Sequence, residues 1–251
     1  MQGDSALGRA LALVRDLRAR CAWDRAQTPA TLRPYLVEEV LELDQAIRHD
    51  DAAALRDELG DVLLHLAFQI VIGEESARFD AESVTRALEE KMQRRHPHLF
   101  GLGDKPASWE MGKRDEGREK GKTLAGLPPT LPPLLMAYRL QERAAGVGFD
   151  WPTARGPLDK VKEEIAEVER ATSGGQRDAL EEEVGDLLFT VVNLARKLAI
   201  DPRAALERAN DKFTRRFEAV EELAAQRGVE LGRASLEELD GMWEEAKAKG
   251  L

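Results

Sequence analysis

Apolar residues recur at intervals of three and four along most of the chain, and few segments alternate as strands do. Leu7, Leu11, Val14 and Leu17 mark one face behind an N-cap at Ser5. Thr28-Pro29 reads as a cap followed by proline at the first helical position, and Leu32, Leu36, Val40, Leu43 and Ile47 carry the next face. Leu55, Leu59, Val62, Leu66 and Ile70 repeat the pattern after Asp51, with Gly73 as the predicted end. Asp80 opens a further helix through Val84, Leu88 and Met92, which His96-Pro97 closes.

A second helical series follows four prolines in six positions, Pro128-Pro129-Thr130-Leu131-Pro132-Pro133, which cannot continue a helix. It predicts helices near 131–145, 157–171, 176–199, 202–227 and 235–249. Asp201-Pro202 caps one of them, and Ser235 with Glu238 forms a capping box at another. The expected organisation is a helical domain over 1–122, a proline-rich linker over 123–133 and a second helical domain over 134–251. Residues 112–122, rich in Lys, Arg, Glu and Gly without an apolar period, are expected to be mobile. The fold class is all-α, as tandem helix bundles.

Composition narrows the function. With 43% hydrophobic and 33% charged residues, the chain can bury a core, which excludes disorder along its whole length. The formal charge of −10 disfavours a nucleic-acid polymer as partner, because the phosphate backbone rewards excess Lys and Arg. A small phosphorylated substrate held through a metal stays open. Cys21 is the single cysteine, no secretory leader is evident, and Val62 to Gly73 is too short to span a bilayer. The expectation is a cytoplasmic protein without a membrane segment.

The two halves are related. Glu38-Glu39, Glu42, Glu58 and Asp61 in the first recur as Glu163-Glu164, Glu167, Glu183 and Asp186 in the second, each 125 residues on. Carboxylates are 47 of 251 residues. Allowing for every offset and for the matched glycines Gly60 and Gly185, chance gives such a match roughly a few times per thousand. Ten of the 47 acids therefore belong to two copies of one motif.

Residues three or four apart share a helix face, so Glu39 with Glu42, and Glu58 with Asp61, point together. Two such helices joined near His49-Asp50-Asp51 would bring four carboxylates into one cluster. Crowded anions repel unless a cation intervenes, and oxygen-only donors favour Mg²⁺ or Mn²⁺ over Zn²⁺. A solvated acidic face is the plain alternative. A ferritin-like di-iron site is disfavoured, since neither half has its Glu-x-x-His element. His65 is expected to be a satisfied histidine at the bundle edge. Gly60 and Gly185 are mid-helix, where a missing side chain would let a neighbouring helix or a phosphate approach.

Each half also has a basic element with a tryptophan beyond it. Lys91 and Arg95 precede Trp109, and Lys212 and Arg216 precede Trp243. Lys at i and Arg at i+4 suit a phosphate, and an indole can stack on a base.

Taken together, these motifs resemble the all-α nucleoside triphosphate pyrophosphohydrolases of the MazG family. Cys21-Ala22-Trp23-Asp24-Arg25-Ala26-Gln27-Thr28, Leu32-Arg33-Pro34-Tyr35-Leu36, Arg94-Arg95-His96-Pro97-His98-Leu99-Phe100 and Val147-Gly148-Phe149-Asp150-Trp151 carry the likeness too. Ala22, where the family usually has proline, is a departure expected in a loop. The resemblance implies Mg²⁺-dependent hydrolysis of nucleoside triphosphates to the monophosphate and pyrophosphate, with loose base selectivity. It also implies a housecleaning role against non-standard nucleotides and a homodimer. By resemblance, Glu164, Glu167, Glu183 and Asp186 hold the metal in the second half, and Glu39, Glu42, Glu58 and Asp61 in the first. Lys212, Arg216 and Trp243 hold the nucleotide, with Lys91, Arg95 and Trp109 as first-half equivalents. Glu38 and Glu163 are candidates to orient the attacking water. A helical interaction module without catalysis, or a relative specialised for one substrate such as phosphoribosyl-ATP, are the other readings.

Overall fold

A computed structural model describes residues 5–104 and 122–250, which contain ten α-helices and no strand. The segment 112–121 expected to be mobile and Trp109 lie outside the described residues. The chain divides into two compact units, residues 1–106 and 107–251.

In the first unit, α1 (Ala6–Arg20), α2 (Ala22–Ala26), α3 (Pro29–His49), α4 (Ala52–Glu75) and α5 (Ala81–Arg95) are followed by a 3₁₀ turn over Pro97–Leu99. The starts follow local capping chemistry. Ser5 Oγ accepts from Gly8 N at 3.0 Å, and Asp51 accepts from Ala53 N and Ala54 N. Thr28 and Asp80 each form a capping box. Asp50 takes a left-handed conformation (φ 52°) that turns α3 back into α4, so the two helices lie together as a hairpin. Val14, Leu32, Ala67, Phe68, Val71 and Ile72 form the core between α1, α3 and α4.

Three local expectations are corrected here. Ala22 starts the short helix α2 rather than lying in a loop. Five residues are too few to hold a helix alone; Arg18, 7% exposed, donates to the carbonyls of Asp24 and Gln27 and pins the segment. Gly73 does not end α4, which runs to Glu75. A Cβ at Gly73 would overlap the Phe79 ring, so glycine there permits close packing instead of termination. His65 is buried in α4 with Nδ1 unpartnered, and is therefore not a satisfied edge histidine.

The second unit holds α6 (Pro133–Ala145), α7 (Arg155–Gly174), α8 (Arg177–Lys197), α9 (Pro202–Arg227) and α10 (Leu236–Ala248). Gly175, at φ 69°, makes the left-handed turn between α7 and α8, which pack as the counterpart of the α3–α4 hairpin. Helix α6 lies on α8, and α9 pairs with α10 around Val220, Leu223, Ala224 and Met242. Asp201 and Ser235 cap α9 and α10, the latter through the reciprocal bonds with Glu238. Among the described residues no helix is long and apolar enough to cross a membrane.

Candidate active site

The two hairpins gather carboxylates at matched places. In the first unit Glu39 on α3 meets Glu58 and Asp61 on α4, with oxygens all within 4.8 Å of one another. In the second, Glu164 and Glu167 on α7 meet Glu183 on α8 within the same limit. Glu42 is exposed and outside the first group, but its charge bears on both Glu39 and Glu58. Asp186, one turn beyond Glu183, is exposed and outside the second group. Glu38 and Glu163 are exposed beside their clusters.

Crowding leaves an electrostatic signature. Burial, then the charges of Asp61, Glu42, Glu58 and Glu38, push Glu39 above the usual carboxylate range. Glu58 is raised by desolvation and by Glu42, Asp61 and Asp57. Glu167 is raised by desolvation, then by the adjacent carboxylate of Glu164 and by Glu183.

Glu164 is the most telling member. It is 3% exposed and its Oε2 is buried without a partner. Its Oε1 accepts from Lys160 Nζ at 2.8 Å, and Lys160 also reaches Glu163 at 2.9 Å. A carboxylate oxygen shut from water and left unpaired is costly, and a bound cation would satisfy it. The donor set is all oxygen and fits a hard divalent ion. Lys160 was not singled out from sequence, although its spacing of three and four from Glu163 and Glu164 is the signal that finds it. The corresponding position in the first unit is Tyr35, so the two clusters differ in charge balance.

Of the two expectations for Gly60 and Gly185, the close helix is not found: a Cβ at either would meet nothing within 4 Å among the described residues, which leaves open space beside each. On α9, Lys212 is exposed, and the Arg216 guanidinium lies 5.7 Å from the Trp243 ring centroid. Trp243 also tilts against Phe213 at 5.3 Å, so its ring is partly engaged within the unit. Lys91 and Arg95 are half-buried at the end of α5.

Comparison with known proteins places the sequence that builds these hairpins in a family. The model of the MazG nucleotide pyrophosphohydrolase domain matches twice, over residues 27–100 and 155–221, and each match contains one carboxylate hairpin. The chain belongs to the MazG family. The motif resemblance and the all-α tandem architecture are both borne out. Among MazG relatives, the nucleoside triphosphate pyrophosphohydrolase/pyrophosphatase MazG of Thermotoga maritima is 44% identical over 232 residues, covering 90% of this chain and 89% of that protein. The nucleoside triphosphate pyrophosphohydrolase of Escherichia coli K12 is 41% identical, covering 93% of each. The uncharacterized protein YabN of Bacillus subtilis is 41% identical over 94% of this chain but only 50% of its own length.

Proposed function

We propose that this MazG-family chain hydrolyses nucleoside and deoxynucleoside triphosphates to the monophosphate and pyrophosphate, with Mg²⁺ as cofactor and Mn²⁺ as a substitute. The observation that carries this reading is the buried, unpartnered Glu164 oxygen within a three-carboxylate cluster, repeated by Glu39, Glu58 and Asp61. The names of the Thermotoga and Escherichia relatives supply the reaction. Broad base selectivity, a housecleaning role against non-standard nucleotides and a cytoplasmic location belong to the same proposal.

Glu164, Glu167, Glu183 and Asp186 would hold the metal in the second unit, and Glu39, Glu42, Glu58 and Asp61 in the first. When bound, Mg²⁺ supplies charge neutralisation for the triphosphate and a water of lowered pKa. Glu163 and Glu38, exposed beside their clusters, would orient the attacking water toward the α-phosphorus. Lys212 and Arg216 stabilise charge on the departing pyrophosphate, and Trp243 contacts the nucleotide. Lys91, Arg95 and Trp109 take these places in the first half. The acidic balance argues against a nucleic-acid polymer as substrate.

A homodimer completes the proposal. Val40, Leu59 and Leu66 are exposed on the first hairpin, and Ile165, Val184 and Val191, each 125 residues on, are exposed on the second. Matched apolar stripes of this kind suit burial against a second copy.

The deciding experiment is product analysis with purified chain, deoxynucleoside triphosphates and Mg²⁺. Monophosphate and pyrophosphate in equal amounts are expected. Orthophosphate as the released product would overturn the reaction, and no turnover of any triphosphate would favour a binding module.

Cation and pH are linked in a second expected result. Glu39, Glu58 and Glu167 have raised folded pKa values, so the folded state holds more protons than the unfolded one just above the ordinary Glu value of 4.5. Stability from these groups therefore falls as pH rises through that window, and a divalent cation restores it. The rise in Tm on replacing EDTA by Mg²⁺ should be largest near neutrality and shrink below that ordinary value. A rise of equal size at both pH values would contradict the assignment.

A further inference from the structure

The two carboxylate hairpins share their acids but not the donors that hold them. In the second unit two cations sit against the cluster. Lys160 Nζ reaches Glu164 Oε1 at 2.8 Å and Glu163 Oε1 at 2.9 Å, and Arg170 donates to Glu167 at 3.0 Å. Glu164 and Glu163 hold the Lys160 ammonium above the usual lysine range, so it stays charged at neutral pH. The corresponding positions in the first unit, 125 residues earlier, are Tyr35 and Gln45, and neither supplies a cation. The charges bearing on Glu39 and Glu58 there are those of other acids, whereas Lys160 offsets the acids around Glu167.

The first unit has an imidazole instead, supplied from the opposite helix. His65 on α4 is 8% exposed, and its Nε2 faces Glu39 Oε1 at 3.9 Å. Its Nδ1 is buried without a partner. An imidazolium, or a neutral ring protonated on Nδ1, would bury an N–H with no acceptor. The neutral ring protonated on Nε2 avoids that cost and points its N–H at the Glu39 carboxylate. The pair stands just beyond hydrogen-bond range, and a small approach of the Glu39 side chain closes it. In the second unit the position of His65 is taken by buried Thr190.

These differences act on a divalent ion in opposite directions. A fixed positive charge a few ångströms away opposes the binding of a second cation, an effect of about tenfold in affinity even at a protein surface. Lys160 also takes an oxygen of Glu164, the most buried acid of its cluster. A triphosphate brings negative charge with it, so a cation complexed to one meets no such barrier. In the first unit no cation stands at the matching positions. A donor aimed at a ligand carboxylate fixes its orientation, and metal affinity depends strongly on outer contacts of that kind.

We propose that the two units load their cations differently. The first takes up a free divalent cation on Glu39, Glu58 and Asp61, with His65 as the residue that positions Glu39. The second takes its cation together with the triphosphate, because Lys160 and Arg170 already engage Glu164 and Glu167. The proposal rests on the reading of both clusters as cation sites. One copy of the motif then holds a standing ion, and the other an ion that arrives with substrate.

The test is a Mn²⁺ titration of metal-free, deuterated, ¹⁵N-labelled full-length chain, read by paramagnetic broadening of amide signals. Without nucleotide, the amides of Glu39 and Gly60 should fade at Mn²⁺ concentrations about tenfold below those that affect Glu164 and Gly185. Deoxyadenosine α,β-methylene triphosphate, which resists cleavage between its first two phosphates, should bring the second pair into the same range. Lys160→Met should do so without nucleotide. Tyr35→Lys, at an exposed position where folding is not at risk, should weaken the first site about tenfold. His65→Leu should weaken it by about as much, and His65→Gln, which keeps an N–H donor, should restore it. Equal broadening of both units throughout the nucleotide-free titration would overturn the proposal. So would a second-unit affinity unmoved in Lys160→Met, or a first-unit affinity unmoved in both Tyr35→Lys and His65→Leu. Broadening in neither unit would instead remove the cation reading itself. Because no turnover is measured, a failure of triphosphate hydrolysis would count against the proposed reaction alone.

Discussion

Glu167→Ala combined with Glu42→Ala is expected to lower kcat for pyrophosphate release by about a thousandfold. The figure follows from what the carboxylates do. A divalent cation on the triphosphate contributes several kcal/mol of charge stabilisation, and about 4 kcal/mol corresponds to about three powers of ten in rate. Glu167 lies within the second cluster and Glu42 acts on both Glu39 and Glu58, so the double change weakens both cation sites at once. The single changes then apportion turnover. If Glu167→Ala alone nearly matches the double variant, the second unit carries the reaction; a comparable loss from Glu42→Ala alone assigns it to the first. Initial-rate measurements at saturating Mg²⁺ check this, and undiminished turnover in the double variant would remove the carboxylates from the mechanism.

The two sites should not be equivalent, because the units have diverged around the shared motif. Lys160 places a cation against Glu163 and Glu164, and its counterpart position is Tyr35. Glu39 instead faces buried His65, 3.9 Å away, where the second unit has Thr190. One duplicated hairpin thus supports two electrostatic environments, and pKa and affinity follow environment more than motif.

This divergence also explains what could be read from the chain and what could not. Helix starts were legible because capping is local: Thr28, Asp80 and Ser235 each find partners three residues away. The carboxylate faces were legible because helical period alone aligns Glu58 with Asp61 and Glu164 with Glu167. Helix α2 was not, since five residues are held by Arg18 from another element. The role of Gly73 was hidden for the same reason, its partner Phe79 lying beyond the helix end. The burial of Gln141 on α6 gave no local sign, because the Phe189 carbonyl to which its Nε2 donates is 48 residues away. The repeat does not extend along the whole of α8, since the positions matching Asn193 and Arg196 are the apolar Phe68 and Val71.

Arg18 leads to the largest expected effect on stability. Its guanidinium is buried at the junction of α1, α2 and α4, donating to Glu75 at 2.8 and 2.6 Å and to the carbonyls of Asp24 and Gln27. Glu75 is half-exposed, with 48% of its side chain accessible. The pair is therefore asymmetric. Glu75→Ala strands a buried cation with two carbonyl acceptors, and should cost about 3 kcal/mol, the low end of the range for breaking a buried pair. Arg18→Met fills the space and returns Glu75 to water, so its cost is confined to the two carbonyls, about 2 kcal/mol. Hydrogen exchange of α1 and α4 amides reads the first unit by itself, and about 3 kcal/mol should accelerate it by about a hundredfold in Glu75→Ala. Acid should mimic that change. The hydrogen bond from Arg18 holds Glu75 below the usual carboxylate range, so its contribution is complete above the unfolded pKa and is lost as pH falls through the depressed folded value. Wild-type exchange in α1 and α4 should therefore approach that of Glu75→Ala only in strong acid. A larger loss from Arg18→Met than from Glu75→Ala would show that packing, and not the buried charge, sets the stability of this junction.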